Sequence, residues 1–256
     1  MITSRHHYVM GTVVSFLVAT EEPEAGRLDE AIGGACDELD RLDAIFSTWR
    51  EDSALSRLRR GELALGHAPP EIGDVLELCS LARQASAGLF DPWAMPGGVD
   101  PTGLVKGWAV ERAAGILAAA GLAAGLVNGG GDIATFGEAE EPWRIGIQHP
   151  WRDDAIARLL EIHGGESVAT SGRYQRGDHL VVPRGAAGGR AGYVASASVR
   201  GPSLAMADAL ATALSVGGPG ALDLLDSLGS YEGYRILADG SEEETAYFGI
   251  AAASLG

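Results

Sequence analysis

The chain has 256 residues, of which 46% are hydrophobic and 21% charged, enough apolar material for one large domain or two intimately packed ones. Its formal net charge of -16 argues against nucleic acid as a partner, because phosphate backbones are bound by Lys and Arg. No stretch approaches the roughly 20 apolar residues of a membrane span, and the first residues lack the apolar core of a secretory leader, so we expect a cytoplasmic protein.

Hydrophobic spacing predicts a mixture of strands and helices along the chain. A short apolar run with β-branched residues predicts a strand over 9–19, and helical spacing predicts a long helix over 24–47. Further helices are predicted over 54–60, 69–86, 108–120, 203–216 and 222–228, and further strands over 126–128, 133–136, 143–148, 159–162, 167–171, 180–183, 193–199, 232–237 and 246–250. Because these elements are interspersed without strict alternation, we expect an α+β fold, with mostly antiparallel sheet covered by helices.

A pair of oxygen-bearing side chains lies in the small, apolar segment 206–214. In a helix, Asp208 and Thr212 stand one turn apart and share a face, because residues i and i+4 stack above one another. A carboxylate beside a hydroxyl, with no Lys or Arg nearby in the sequence, suits a hard cation such as Mg²⁺, which prefers oxygen ligands. Taken alone, the pair favours a simpler interpretation, in which Asp208 caps a turn and Thr212 faces solvent. The segments described next shift the balance between this interpretation and cation binding toward cation binding.

The segment 88–107 has three prolines and five glycines among its twenty residues, and it predicts a shaped loop. Within it, Asp100, Gly103 and Lys106 are spaced three apart. If Thr102 or Gly103 begins a helix that runs to residue 120, the free amides of its first turn favour phosphate, and Lys106 adds a positive charge. An ordinary loop-to-helix junction, with Asp100 as a cap and an exposed Lys106, is an equal alternative.

Two further segments could contact a ligand. Triple glycine in 128–132 lets backbone amides approach a ligand without interference from Cβ atoms, although a tight turn packed against another strand is an equal alternative. The segment matches neither a dinucleotide-binding fingerprint nor a phosphate-binding P-loop. Hydroxyls, glycine and arginine in 169–179 could hold a phosphate or a ribose, whereas His179 is better explained as a structural residue.

Eight short segments, in a fixed order from residue 10 to residue 212, carry a family resemblance. They are Met10-Gly11-Thr12, the aromatic loop 46–58, the turn 88–92, the loop 100–107, the glycine segment 128–133, the run 143–150, Thr170-Ser171-Gly172 and the Ala-Asp-Ala-Leu-Ala-Thr helix. In this order they resemble the ApbE family of FAD:protein FMN transferases. Any one of these motifs is weak, but all eight in order are specific.

The resemblance implies a single ApbE-like domain over residues 1–256, with two intimately joined lobes and FAD in the cleft between them. It implies a Mg²⁺ ion bound by the backbone carbonyl of Gly103 and by the side chains of Asp208 and Thr212, which are also the implied catalytic residues. The FAD contacts that it implies are Met10, Trp49, Leu89, Phe90, Asp91, Asp100, Lys106 and Leu180.

The implied reaction is phosphoryl transfer. A Thr or Ser hydroxyl of a client flavoprotein attacks the FMN-side phosphorus of FAD, AMP leaves, and FMN stays ester-linked to the client. Two alternatives stay open: an FAD pyrophosphatase that gives FMN and AMP, and a non-catalytic FAD-binding protein. The family's His-Ile-Ile-Asp-Pro run is His-Leu-Val-Val-Pro here, with Val182 in place of Asp, so the sequence does not separate transferase from hydrolase.

Overall fold

The computed structural model describes residues 1–20, 25–172, 183, 189 and 192–251. In these ranges the helices are α1 (Ala25–Phe46), α2 (Ala54–Arg59), α3 (Pro70–Ala85), α4 (Thr102–Ala119), α5 (Leu204–Val216) and α6 (Asp223–Asp226). The strands are β1 (Ile2–Val9), β2 (Thr12–Ala19), β3 (Ala124–Gly129), β4 (Asp132–Gly137), β5 (Trp143–His149), β6 (Arg152–Ile162), β7 (Ser167–Gly172), β8 (Val194–Gly201), β9 (Glu232–Leu237), β10 (Glu242–Glu244) and β11 (Ile250–Ala251). None of the helices in this part of the chain is both long and apolar enough to cross a membrane.

The described strands form two sheets. The larger sheet has the order β1-β2-β3-β4-β7-β8-β9-β10, and the smaller one has the order β11-β6-β5. Each pairing between these strands is antiparallel. The predicted α+β fold with mostly antiparallel sheet is therefore confirmed, whereas two lobes around a cleft for FAD stay a prediction.

The larger sheet lies between a layer of helices and the smaller sheet. α4 and α5 pack against its central strands β3, β4, β7 and β8. Because successive side chains of a strand point to opposite faces, Ala134 and Ala169 pack with the helices, whereas Ile133 and Val168 join a second core. From the smaller sheet, this second core contains Ile147, Leu160 and Ile162. The helix-covered face of β4 and β7 is the face that borders the candidate site.

The N-terminal region differs from the prediction. In place of one strand over 9–19, β1 and β2 form a hairpin in which Val9 pairs with Thr12. Met10 and Gly11 form its turn, with positive φ angles of 52° and 71°. The pattern of apolar residues missed β1 because most of that strand is exposed and polar, so that it carries little hydrophobic periodicity.

Other boundaries also shift. α4 begins at Thr102, so the alternative helix start is confirmed and 102–107 is not loop. β6 begins at Arg152 rather than at 159, because its first half is exposed and lacks a continuous apolar run. The predicted strand over 246–250 is wrong except at its last residue, and the acidic edge strand β10 was not predicted. The predicted strand over 180–183 lies outside the described residues except for residue 183, which is not in a strand.

Candidate functional site

The first turn of α5, the helix that carries Asp208 and Thr212, is held by two side chains. Ser203 precedes the helix, and its side chain accepts a hydrogen bond from the amide of Met206 at 3.5 Å. Glu111 of α4 accepts from the hydroxyl of Ser203 and from the amide of Ala205, each at 3.1 Å. The free amides of a helix start need such acceptors. Glu111 therefore fixes the start of α5 against α4.

α4 and α5 cross at Gly107, where no side chain would fit. A Cβ atom at this position would lie 2.6 Å from the carbonyl oxygen of Leu204 and 2.9 Å from Cβ of Asp208. The amide of Gly107 donates a hydrogen bond to Oδ2 of Asp208 at 3.0 Å. The regular helical acceptor of that amide is the carbonyl of Gly103, four residues earlier. The carboxylate of Asp208 therefore contacts α4 one turn after Gly103.

Thr212 meets the same part of α4. A Cβ atom at Gly103 would lie 3.2 Å from Oγ1 of Thr212 and 3.2 Å from the ring of Phe90. On the other side, the hydroxyl of Ser171 at the end of β7 is 3.2 Å from Oγ1 of Thr212. The simpler interpretation of the Asp208–Thr212 pair is wrong, because Asp208 is 4% exposed inside the helix and Thr212 is partly buried between α4 and β7.

Lys106 stands between two buried carboxylates. Its ammonium pairs with Oδ2 of Asp132 and lies 3.8 Å from Oδ2 of Asp208. Asp132 is fully buried at the start of β4, and its Oδ1 accepts a hydrogen bond from the amide of Thr170 at 3.3 Å. The alternative of an exposed Lys106 is wrong, since 13% of its side chain is exposed. The low dielectric of this setting strengthens the interactions among the three charges.

The triple glycine forms the tight turn that leads into Asp132. Gly130 and Gly131 have positive φ angles of 65° and 100°, and Oδ1 of Asn128 accepts from the amide of Gly131 at 2.8 Å. A Cβ atom at Gly130 would lie 2.5 Å from the hydroxyl of Thr12, so this turn packs against the start of β2. The segment is therefore a tight turn, as the second interpretation states. Its packing against Thr12 also brings the β1–β2 hairpin turn to the end of the sheet where Asp132 lies.

Three of the predicted FAD contacts, Leu89, Phe90 and Asp91, follow α3. Leu89 and Phe90 are buried, and the amide of Phe90 donates to the hydroxyl of Ser86 at 3.0 Å. Asp91 accepts a hydrogen bond from Nε of Arg83 at 2.7 Å. Because the ring of Phe90 touches the position of Gly103, this turn borders the site on the α4 side.

Asp100 lies just before Pro101, the N-cap residue of α4, and its side chain binds the first helical residue. Its Oδ1 accepts from the amide of Thr102 at 3.1 Å and from the hydroxyl of Thr102 at 2.7 Å. Nη1 of Arg59 lies 3.5 Å from Oδ2 of Asp100, and Nε of the same arginine donates to the carbonyl of Gly97 at 3.1 Å. The alternative interpretation of this junction is therefore only partly correct, because Asp100 binds the start of α4 from one residue before the N-cap, and Lys106 is not exposed.

Three predicted FAD contacts remain, Met10, Trp49 and Leu180. Met10 is partly buried in the β1–β2 turn. Trp49 is 95% exposed on the loop after α1. Leu180 lies outside the described residues, together with His179 and Val182. The structure thus places Gly103 and Gly107 of α4 against Thr212 and Asp208 of α5, and leaves Trp49 on the surface.

Three residues that contact the site were not predicted as site residues. Asp132 carried a usable signal, because an acidic residue that enters an apolar strand needs a buried partner. Glu111 carried no such signal, because its contacts depend on how α4 packs against α5. Ser171 lies in the segment 169–179, whose hydroxyls were predicted to hold a ligand, but its contact with Thr212 depends on how β7 packs against α5.

The donor set fits a hard cation. Among the described residues, no group of three or more His, Cys, Asp or Glu side chains could hold a metal ion, so a site built from such side chains alone is absent there. Gly103, Asp208 and Thr212 offer a carbonyl, a carboxylate and a hydroxyl, which are all oxygen donors. Mg²⁺ is commonly bound by one or two carboxylates, with water and substrate phosphates in the rest of its shell. The residues present therefore fit Mg²⁺ together with a phosphate-bearing substrate.

Solved structures with a similar fold cover nearly the whole chain. The ApbE protein from Thermotoga maritima superposes with a TM-score of 0.82 at 21% sequence identity, over 96% of this chain and 97% of that one. The flavin transferase ApbE from Vibrio cholerae superposes with a TM-score of 0.78 at 20% identity, over 96% of each chain. At these identities the comparison establishes the fold.

Sequence comparisons identify the family. A protein named FAD:protein FMN transferase from Rhodobacter capsulatus is 28% identical over 203 residues, which are 75% of this chain and 35% of that protein. Another of that name from Vibrio cholerae is 33% identical over 132 residues, 47% of this chain and 39% of that protein. The chain thus spans a little over a third of the length of these curated relatives. The sequence model of the ApbE family matches residues 10–98 and 94–234, and the chain belongs to the ApbE family.

Proposed function

We propose that this chain is a Mg²⁺-dependent FAD:protein FMN transferase that acts as a single ApbE-like domain. The observation that carries the proposal is the convergence of Gly103, Asp208 and Thr212, with the ammonium of Lys106 beside Asp208. Membership of the ApbE family supports it, and so do the curated relatives, which are named FAD:protein FMN transferases.

The residues divide into those that would hold a cation and one that would hold phosphate. The Gly103 carbonyl, the Asp208 carboxylate and the Thr212 hydroxyl would bind Mg²⁺. When bound there, Mg²⁺ supplies charge neutralisation on the pyrophosphate of FAD and orients the phosphorus for in-line attack. Lys106 would hold a pyrophosphate oxygen as a compact positive charge. Because Asp132 and Asp208 are buried, these interactions act in a low dielectric.

In the proposed reaction, a Thr or Ser hydroxyl of a client flavoprotein attacks the FMN-side phosphorus of FAD. A new P–O bond forms to the client, the P–O bond to the AMP moiety breaks, and AMP leaves with the electron pair. The hydroxyl proton passes to a base. Asp208 borders the same site, and it either accepts that proton or serves only as a metal ligand.

An FAD pyrophosphatase is the second candidate. In this reaction water replaces the client hydroxyl and the products are FMN and AMP. The observation that favours it is Val182, which stands where the family's sequence pattern has Asp. The same cation-binding residues would serve both reactions.

The test is incubation of the protein with FAD, Mg²⁺ and a candidate client peptide that contains Thr, followed by mass spectrometry. We expect the peptide to gain the mass of FMN while AMP appears in equal amount. A matched peptide with Thr→Ala and a reaction with EDTA serve as controls, and neither should give a flavinylated product. Free FMN with AMP and an unmodified peptide would establish the pyrophosphatase instead, and intact FAD would overturn both reactions.

The proposal includes a client flavoprotein as the partner and a cytoplasmic location. Both cysteines, Cys36 and Cys79, are free thiols, which suits a reducing compartment. Cell fractionation of the natural source tests the location, and recovery of the protein from the cytoplasmic fraction is the expected result.

A further inference from the structure

We propose that Asp132 is a positioning residue, which holds the ammonium of Lys106 away from Asp208 and so leaves the Asp208 carboxylate able to bind a cation. The inference rests on the proposed function, because it concerns the same cation site. It adds a residue to that site which is neither a metal ligand nor an FAD contact in the arrangement described above.

The geometry favours Asp132 as the anchor of Lys106. The ammonium forms ion pairs with Oδ2 of both Asp132 and Asp208, and the pair with Asp208, at 3.8 Å, is the longer of the two. Asp132 is itself fixed, since it is fully buried and its Oδ1 accepts the amide of Thr170 in the neighbouring strand β7. A buried carboxylate held in this way is a strong partner for one ammonium group.

The charges explain why such an anchor matters. An ammonium group and a divalent cation compete for the same carboxylate, because each neutralises its negative charge. If Lys106 moved onto Asp208, it would occupy the carboxylate and add repulsion toward an incoming cation. With Asp132 as its partner, Lys106 stays close enough to attract phosphate while Asp208 keeps its negative charge for the metal.

The residue type also fits this role. Lys106 is the only lysine of the chain, and the other 18 cationic side chains are arginines. An arginine guanidinium is a planar fork that favours bidentate contact and spreads its charge, whereas a lysine ammonium is a compact charge that one carboxylate can hold. The one lysine therefore stands where a point charge has to be held closer to Asp132 than to the proposed metal ligand Asp208.

The test measures Mg²⁺ affinity without FAD, by isothermal titration calorimetry, in four proteins. These are the wild type, Asp132→Asn, Lys106→Gln and the double variant. We expect Asp132→Asn to weaken Mg²⁺ binding roughly tenfold or more, because Lys106 then pairs with Asp208. Lys106→Gln should tighten it, and the double variant should return to the affinity of Lys106→Gln. The exposed Asp74→Asn on α3 is the matched control and should bind as the wild type does.

The double variant separates positioning from a general structural role. If Asp132 only supports the fold, the double variant binds Mg²⁺ as weakly as Asp132→Asn, and the inference is wrong. Unchanged affinity in Asp132→Asn also overturns it. If the wild type binds no Mg²⁺, with or without FAD, the proposed function itself fails and the inference fails with it. When only the inference fails, the wild type still binds Mg²⁺, so the two failures are distinguishable.

A second measurement covers the case in which Asp132→Asn does not fold. Because the chain has one lysine, labelling with [ε-¹³C]lysine gives one side-chain signal, which belongs to Lys106. In the wild type, Mg²⁺ binding should leave this signal sharp and nearly unshifted, since the ammonium stays with Asp132. A large shift on Mg²⁺ binding would mean that the cation displaces Lys106 from Asp208, and it would overturn the inference.

Discussion

Gly107 and Asp208 are joined by an amide-to-carboxylate hydrogen bond of 3.0 Å, although they are 101 residues apart in the sequence. The contact depends on the missing side chain of Gly107, because a Cβ atom there would lie 2.9 Å from Cβ of Asp208. Through it, the helix start that carries Gly103 and Lys106 meets the helix face that carries Asp208 and Thr212. This crossing assembles the candidate site.

Gly107→Ala should push α4 and α5 apart. We expect it to lower the free energy of unfolding by about 1–3 kcal/mol, as overpacking does, and to abolish detectable Mg²⁺ binding. Gly115→Ala is the matched control on the same helix, since a Cβ atom there meets nothing within 4 Å. That control should raise stability by up to about 1 kcal/mol through helix propensity. Urea unfolding and calorimetry measure both effects, and a Gly107→Ala protein that binds Mg²⁺ normally would contradict the importance of the crossing.

Asp208→Asn should abolish Mg²⁺-dependent release of AMP from FAD. The change keeps the shape of the side chain but removes its negative charge, and loss of a metal that supplies several kcal/mol lowers the rate at least about a hundredfold. Chromatography of AMP measures the reaction. The exposed Asp226→Asn on α6 is the control and should keep the wild-type rate. Equal rates in the two variants would remove Asp208 from the metal site.

Lys106→Ala should weaken FAD binding about tenfold when Mg²⁺ is absent, because it removes the positive charge that lies beside the proposed phosphate position. Titration followed by flavin fluorescence in EDTA gives the dissociation constant. Arg152→Ala, an exposed change at the start of β6, is a control for the loss of one cation and should leave the constant unchanged. A folded Lys106→Ala protein with the wild-type constant would show that Lys106 does not contact FAD.

Glu111→Gln should destabilise the protein by about 1–2 kcal/mol. Its carboxylate accepts two hydrogen bonds at the start of α5, from the Ser203 hydroxyl and the Ala205 amide, and a charged acceptor there is stronger than a neutral one. The exposed Glu77→Gln on α3 is the control and should change stability by less than about 0.5 kcal/mol. Chemical unfolding of both variants measures these changes. Equal unfolding midpoints for Glu111→Gln and Glu77→Gln would mean that Glu111 contributes nothing to the helix start.

Glu38→Gln should make the free energy of unfolding fall less steeply than in the wild type as the pH is lowered. Hydrogen bonds from Arg41 lower the pKa of Glu38 below its ordinary value of 4.5, and Arg112 of α4 adds to the effect. A lowered folded-state pKa gives stability that is present above pH 4.5 and is lost as the pH falls through the folded value. The arginines are about half exposed, so we expect at most about 1 kcal/mol at pH 7.

The difference between wild type and Glu38→Gln should therefore shrink toward zero as the pH falls below 4.5 and through the folded-state pKa. Unfolding midpoints in urea at several pH values measure it. Glu30→Gln, exposed on the same helix α1, is the control and should follow the wild-type curve. A wild-type advantage that grows as the pH falls would contradict the sign of this linkage.

Local patterns in the sequence predicted the elements with strong periodicity. The long helix α1 and the helix α5 follow from apolar spacing, and the shared face of Asp208 and Thr212 follows from the helical repeat. The hairpin of β1 and β2 and the first half of β6 were missed, because exposed polar strands carry little hydrophobic periodicity. At the start of α4 the sequence left two interpretations, and the structure combines parts of both, with the Asp100 side chain bound to the first helical amide and Lys106 buried against carboxylates.

The sequence by itself determined the chemistry available to the site. It placed oxygen donors one helical turn apart, a lone lysine at a helix start, and glycines where backbones approach. Only the tertiary structure decided that Lys106 pairs with Asp132 and that Gly107 meets Asp208, because these residues lie on different elements. Their distances depend on how α4 and α5 pack against each other and against β4 and β7, and a periodic pattern within one element carries no information about that packing.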